Sequence, residues 1–316
     1  WRAAKLISSA LPWRLRERYV CCGRPSRLSA PGPSRTIVGP ARRVDDSMHQ
    51  ATFVLSTGRC GTQWLAEALG RVFEGPIRVE HEPLHLGYRP RERLGGATPP
   101  EAVQRHLDSI DAELAYRPYL ECGHPCWSAL PWIAQRLPGR VRVLHLVRHP
   151  LPTALSWLTH QAYQPPLLPH LPEKVLLSPF DAGVRFPDYR ARWPALTPFE
   201  KSLYYWLEVN AFALALEAEG ALPWLRLRFE DLFAAGGLHS LLGFLGLPRD
   251  PRLEALRAQR IDRHASVLAA PERLAAWAEH PDVVELARTL GYAMEGPEAS
   301  ALLQRYLPQL GDGTGR

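Results

Sequence analysis

Ala51 to Trp64, ATFVLSTGRCGTQW, passes from an apolar run through a glycine-bracketed turn into a helical pattern. Thr52 to Leu55 are predicted to form a short buried strand. Gly58 and Gly61 allow a tight turn free of Cβ clashes, and Thr62 onward (TQWLAEALGRVF) repeats apolar residues at helical spacing. Amide groups at the start of such a helix are unpaired and point outward, so phosphate or sulfate is their natural occupant. The Thr62 hydroxyl and the Arg59 guanidinium add donors to the same anion cradle. A triphosphate-binding loop of the type GxxxxGK[ST] requires a lysine after its last glycine; here Thr62 follows Gly61 and no lysine precedes Trp64, which weakens a kinase or ATPase reading.

A second stretch, Val141 to Trp157 (VRVLHLVRHPLPTALSW), repeats the design. Val141 to Val147 form a strongly β-prone run closed by Arg148-His149-Pro150, and a helix resumes at Pro152, in whose first turn proline is tolerated. Arg148 and Ser156 stand eight residues apart. An arginine at a strand end gives two parallel bonds to a phosphate, and the serine lies about two helical turns further on.

Residue for residue, the first stretch resembles the 5′-phosphosulfate loop of the sulfotransferase family, with Arg59, Cys60, Gly61, Thr62, Gln63 and Trp64 in its successive places. The second resembles that family's 3′-phosphate motif, in which an Arg and a Ser at the places of Arg148 and Ser156 grip the donor nucleotide. The resemblance covers residues 50–235. It implies an α/β, P-loop-like three-layer fold with a central parallel sheet flanked by helices. It also implies transfer of a sulfuryl group from 3′-phosphoadenosine 5′-phosphosulfate (PAPS) to a hydroxyl or amine of a carbohydrate, lipid or small-molecule acceptor, without a metal. The adenine is expected against Trp64.

Two residues compete for the general base. His81 to His85 (HEPLH) formally matches the zinc-protease pattern HExxH, but Pro83 would break the continuous helix that brings both histidines onto one face. Related enzymes place a glutamate, commonly before a proline, some two dozen residues past the phosphate loop; Glu82 lies 23 residues after Arg59. Cytosolic members carry a catalytic histidine after a strand like Pro118 to Cys122, and His124 lies 24 residues before Arg148. Their companion lysine, two positions before the histidine, is Cys122 here, so Glu82 is preferred, with His81 and His85 assisting or orienting.

The 316 residues can bury a full core, and the net charge of +6 is concentrated at the start. Residues 1–48 hold ten Lys/Arg against three Asp/Glu, leaving 28 against 29 elsewhere, so residues 49–310, read as a single domain, show no groove for nucleic acid. The basic segment 1–48 reads as a non-structural leader, either a transit-type peptide or translation upstream of Met48. No apolar run reaches the roughly 18 residues of a membrane span. Five irregularly placed cysteines exclude a disulfide scaffold and favour a reducing cytoplasm. Cys60, beside Arg59 and a helix start, is expected to be acidic, though the family fills this place with a small residue rather than a nucleophile.

Residues 163–198, with eight prolines, form an irregular excursion expected to wall the acceptor pocket. Helices are expected over 99–116, over 199–219 as an amphipathic helix, and over 237–246 and 281–290, with a strand from Trp224 to Phe229. Arg257, Arg260 and Arg263 are candidate additional cations. A P-loop-type kinase and a non-catalytic nucleotide-binding protein remain the alternatives. The sequence specifies neither the acceptor nor an oligomeric state.

Overall fold

In the computed structural model the run Ala51–Leu55 is strand β1, buried along its whole length. The structure describes residues 49–84, 89–93, 98–166, 168, 170–257 and 274–296, and the side chains of all of these except 92, 93, 235 and 274–276. The basic segment 1–48, His85, Arg260 and Arg263 lie outside the described residues.

After β1 come α1 (Thr62–Val72), the strand β2 (Arg78–His81), α2 (Pro90–Arg93) and α3 (Glu101–Glu113). Strand β3 (Tyr119–Cys122), α4 (Leu130–Arg136), β4 (Val141–Val147) and α5 (Pro150–Thr159) follow. The long helix α6 (Pro198–Ala218), β5 (Trp224–Arg228), α7 (Phe229–Leu232), α8 (Ala235–Leu245), α9 (Pro251–Arg257) and α10 (Pro281–Thr289) complete the order. The five strands form one sheet in the order β2-β3-β1-β4-β5, and every pairing is parallel.

A parallel sheet must bury both faces, and this one does. Ala51, Phe53 and Leu55 of β1 pack with side chains of α3, α5, α6 and α10, whereas Val54 packs with α1, α8 and α9 on the other face. The result is three layers. Truncating a side chain such as Phe53, fully buried in the central strand, costs roughly 3–5 kcal/mol. From β1 the chain moves through α1 toward β2 at one edge; from β4 it moves toward β5 at the other. The carboxyl ends of β1 and β4 therefore meet where the connections diverge, the position at which open α/β sheets bind ligands.

Helix α6 departs from the expected amphipathic pattern. Thr197 caps it by accepting from the Glu200 amide, Glu200 returns the bond to the Thr197 amide, and Pro198 occupies the first helical position. Its first sixteen residues are buried on almost every side, including Glu200, Ser202, Glu208 and Asn210. These polar residues are compatible with burial because each has a partner: the Glu208 carboxylate accepts from the Arg185 and Phe186 amides and the Tyr204 hydroxyl. No helix of the described residues is long and apolar enough to cross a membrane.

Candidate functional site

The loop between β1 and α1 is built on left-handed backbone, with φ of 70° at Gly58, 57° at Arg59 and 80° at Gly61. Gly61 is required twice over. Its φ disfavours a side chain, and a Cβ there would fall 2.7 Å from the Phe229 ring. Among the described residues no side chain caps α1. Arg59 holds the same conformation as a non-glycine residue, a strain of about 1–3 kcal/mol that the surrounding fold sustains.

The two stretches singled out in the sequence meet at this loop. Arg148, at the end of β4, donates from Nη1 to the Arg59 carbonyl at 2.8 Å, and Arg59 Nε donates to Ser156 Oγ of α5 at 2.9 Å. The Arg148 guanidinium lies over the half-buried ring of Phe229, 4.7 Å from its centroid. Trp157 ties α5 to the loop through its indole N–H, which donates to the Thr57 carbonyl at 3.2 Å.

Beside the loop stand Glu82 and His124. Strands β2 and β3 pair with His81 opposite Cys122, so the residues that follow each strand emerge side by side. The Glu82 amide donates to the Cys122 carbonyl at 3.1 Å, and Glu82 turns off the sheet with a φ of 50°. Gly123 makes the approach possible: a Cβ there would stand 2.6 Å from the Glu82 side chain and 3.0 Å from its backbone. Glu82 Oε1 then accepts from His124 Nδ1 at 2.9 Å. Burial works to raise the Glu82 pKa, but the hydrogen bond and charge of His124, with a smaller contribution from His81, outweigh it and hold the carboxyl down to about 2. His81 Nε2 is 3.9 Å from the same oxygen. The chain leaves β2 at His81 through left-handed backbone rather than a helix, which removes the geometry an HExxH zinc site requires.

The remaining candidates are placed differently. Cys60 is fully buried; its thiol donates to the Gly58 carbonyl at 3.1 Å and lies 3.3 Å from Thr57 Oγ1. Burial, only partly offset by the Thr57 hydrogen bond and by Arg148, pushes its pKa up, so the expected acidic thiol is not formed. Thr62 is buried at the start of α1. Gln63 turns away along the helix toward Glu67, at 3.4 Å. Trp64 is 4% exposed, packs on Phe233 at 4.8 Å and donates to the Leu256 carbonyl at 3.2 Å. Its ring is a core contact between α1 and α9 and offers no open face for a base. Arg257 pairs with Glu254.

No family model matches the chain, and no curated protein does. The chain is similar to sulfotransferases of known structure. The sulfotransferase domain from the Synechococcus PCC 7002 olefin synthase matches over 81% of this chain and 100% of its own, at 18% identity and a TM-score of 0.43. The sulfotransferase from Alicyclobacillus acidocaldarius matches over 78% and 97%, at 17% identity and a TM-score of 0.42. A mouse sulfotransferase complexed with PAP matches over 83% and 91%, at 16% identity and a TM-score of 0.40. At these scores the likeness carries no conclusion about activity, which has to come from this chain's own side chains.

Three of those side chains escape sequence reasoning. Trp157 follows the recognised Ser156, yet nothing in the sequence shows that its ring meets His124 edge-on at 5.4 Å. Phe229 sits in a segment that reads as structural, and its place under Arg148 follows from the β4–β5 pairing. Lys174 comes from the proline-rich excursion, and its ammonium lies 5.0 Å from the Trp157 ring centroid.

Proposed function

We propose that the chain is a sulfotransferase that moves a sulfuryl group from PAPS to a hydroxyl or amine of a carbohydrate, lipid or small-molecule acceptor. The observation that carries this reading is the fusion of two anion-binding stretches into one surface, through the bonds from Arg148 to the Arg59 carbonyl and from Arg59 to Ser156. A donor with an anion at each end suits such a surface better than a triphosphate, which calls for a lysine in the loop. The 5′ end of the donor lies over the Arg59 to Gln63 turn, and its 3′-phosphate is held by Arg148 and Ser156. Gly61 keeps the cradle open, and the half-buried Phe229 ring provides an apolar surface beside it.

The hydrogen bond between the two residues supports a different division of the base role from the sequence reading, which prefers Glu82 to His124. A carboxyl held at about 2 is a poor proton acceptor near neutrality. As a carboxylate it can only accept hydrogen bonds, so His124 Nδ1 carries the proton between them and Nε2 is left as the basic nitrogen. His124 is then the base, and Glu82 holds its tautomer and orientation, the division of labour known from His–Asp pairs. In the transfer step the acceptor oxygen forms a bond to sulfur while the bond from sulfur to the bridging oxygen breaks. The electron pair leaves with the 5′-phosphate, and the acceptor proton passes to His124 Nε2. Arg59 and the loop amides face the charge that develops on the departing oxygen.

The test is transfer of radiolabelled sulfate from PAPS to a panel of sugars, lipids and phenols, with ATP and magnesium as a parallel donor. Labelled product from PAPS is expected. Phosphoryl transfer from ATP would replace this reading with a kinase, and PAPS binding without product on any acceptor would replace it with a nucleotide-binding protein.

A further inference from the structure

Resting on the sulfotransferase reading, we propose that Tyr292, in the segment that follows α10, is a positioning residue of the nucleotide site. Its hydroxyl holds the peptide that precedes Arg148 and so aims the guanidinium assigned to the donor's 3′-phosphate.

Arg148 stands where a strand runs out. A side chain leaves the backbone in a direction set by the two peptide planes that flank its Cα, and past the last paired residue the ladder no longer fixes both. Here each plane is held from outside the sheet. The carbonyl of Val147, in the peptide before Arg148, accepts from the Tyr292 hydroxyl at 3.0 Å. The carbonyl of Arg148 itself, in the peptide after it, accepts from Trp206 Nε1 of α6 at 2.8 Å. The guanidinium then donates to the Arg59 carbonyl at 2.8 Å and lies 4.7 Å from the Phe229 ring centroid.

The segment that carries Tyr292 grips this region at more than one point. His149 Nδ1 accepts from the Leu151 amide at 3.2 Å, so Nε2 holds the proton and donates to the Ala293 carbonyl at 3.1 Å. Arg228, the last residue of β5, donates to the Gly291 carbonyl at 3.1 Å. Gly291, Tyr292 and Ala293 are thus bonded in turn to the end of β5, the end of β4 and the residue that opens α5. The Tyr292 ring, 6% exposed, meets His149 edge-on at 5.2 Å.

Packing alone would account for the ring, so the hydroxyl is the informative group. It faces two acceptors with one proton, the Val147 carbonyl and Glu230 Oε2 at 2.9 Å. Glu230 is exposed and water satisfies its oxygens, whereas Val147 is 1% exposed and its carbonyl has no water to turn to. The proton therefore belongs to the strand end. A turn of the Val147–Arg148 peptide by about 10–20° would carry the guanidinium, at the end of a long side chain, past the roughly 0.5 Å that a two-point phosphate contact tolerates.

The test reads what the 3′-phosphate adds to affinity, a quantity that a merely structural contact would not alter. Calorimetric binding of adenosine 3′,5′-bisphosphate and of AMP, which lacks that phosphate, is compared for the wild type, Tyr292→Phe and Val283→Ala. Tyr292→Phe keeps the ring and loses only the hydroxyl; Val283→Ala removes buried packing within α10. The wild type should prefer the bisphosphate by at least about tenfold, the worth of a charge-assisted contact. Tyr292→Phe should lose about fivefold to tenfold in bisphosphate affinity and less than about twofold in AMP affinity. Val283→Ala should lower the thermal midpoint and keep the wild-type preference. A preference in Tyr292→Phe within about twofold of the wild-type value, or an equal loss of preference in Val283→Ala, would overturn the inference and leave the sulfotransferase reading intact. A wild type that binds the bisphosphate no better than AMP would take the 3′-phosphate away from Arg148, and the inference with it.

Discussion

Glu82 Oε1 and His124 Nδ1 are 2.9 Å apart, joined across the carboxyl ends of two neighbouring parallel strands. The bond makes the two candidate bases a single device, and their substitutions should therefore not add. Removing a general base typically costs 10²–10⁴-fold. His124→Ala should fall in that range, Glu82→Gln should lose at least a hundredfold by leaving the imidazole tautomer unfixed, and the double variant should be little worse than His124→Ala. Bisphosphate affinity should stay near the wild-type value in all three. Turnover losses that multiply in the double variant would show two independent roles in place of one dyad.

Arg148 has a double task, since it supports the Arg59 carbonyl and faces the 3′-phosphate proposed above. Arg148→Ala removes a charge-assisted contact and also a strut of the loop, so bisphosphate affinity should fall about tenfold to a hundredfold. The thermal midpoint should move by only a few degrees, because the residue is half-buried at a strand end rather than in the core. Normal affinity in this variant would remove the nucleotide assignment.

What was legible in the sequence followed from local chemistry. An apolar run closed by Gly58 and Gly61, and another closed by Arg148 and Pro150, announce two central strands and the helices after them. Strand β2 was illegible because Arg78, Glu80 and His81 leave only Val79 as an apolar signal, as suits the edge of a sheet. Helix α6 misled for the opposite reason. The segment reads as amphipathic, but its polar residues are buried: Glu208 accepts from two amides of the excursion and Asn210 receives His145 of β4. Glu82 and His124 were each legible, but their bond depends on the β2–β3 register and on the missing Cβ of Gly123. Lys174 had no signal at all, since its nearness to Trp157 is made by a path through four prolines.

Gly61 offers a test of the loop that leaves every charge in place. Gly61→Ala puts a side chain into a φ of 80° and a methyl group 2.7 Å from the Phe229 ring. Left-handed strain alone costs about 1–3 kcal/mol, so the thermal midpoint should fall measurably. The displaced Phe229 would also disturb the guanidinium stacked above it, and bisphosphate affinity should drop with stability. Combining Gly61→Ala with Phe229→Leu should restore part of the affinity; a wild-type affinity in Gly61→Ala alone would show that the close approach is incidental.

The buried histidine of β4 sets a pH dependence of stability. His145 is fully buried, Nε2 donates to the Asn210 side-chain carbonyl at 2.9 Å, and Nδ1 has no hydrogen-bond partner among the described residues. Burial, opposed by the Asn210 bond and reinforced by Arg226, takes its pKa down to about 3. His149 is taken down to about 4, chiefly by burial. The unfolded chain takes up these protons near pH 6.5 and the folded chain does not, so their stabilisation is complete above pH 6.5 and is lost as pH falls toward 4 and 3. Each group contributes a slope of up to roughly 1.4 kcal/mol per pH unit in that window. His280, also lowered by burial, adds to the slope, and Glu208, raised by burial, opposes it. His145→Gln isolates one contribution, because glutamine keeps an N–H for Asn210 and does not titrate. Urea unfolding between pH 7 and 5 should therefore show a shallower loss of stability in His145→Gln than in the wild type, whatever the offset between them at pH 7. Equal slopes in the two proteins would mean that His145 takes up its proton as readily in the fold as in the unfolded chain.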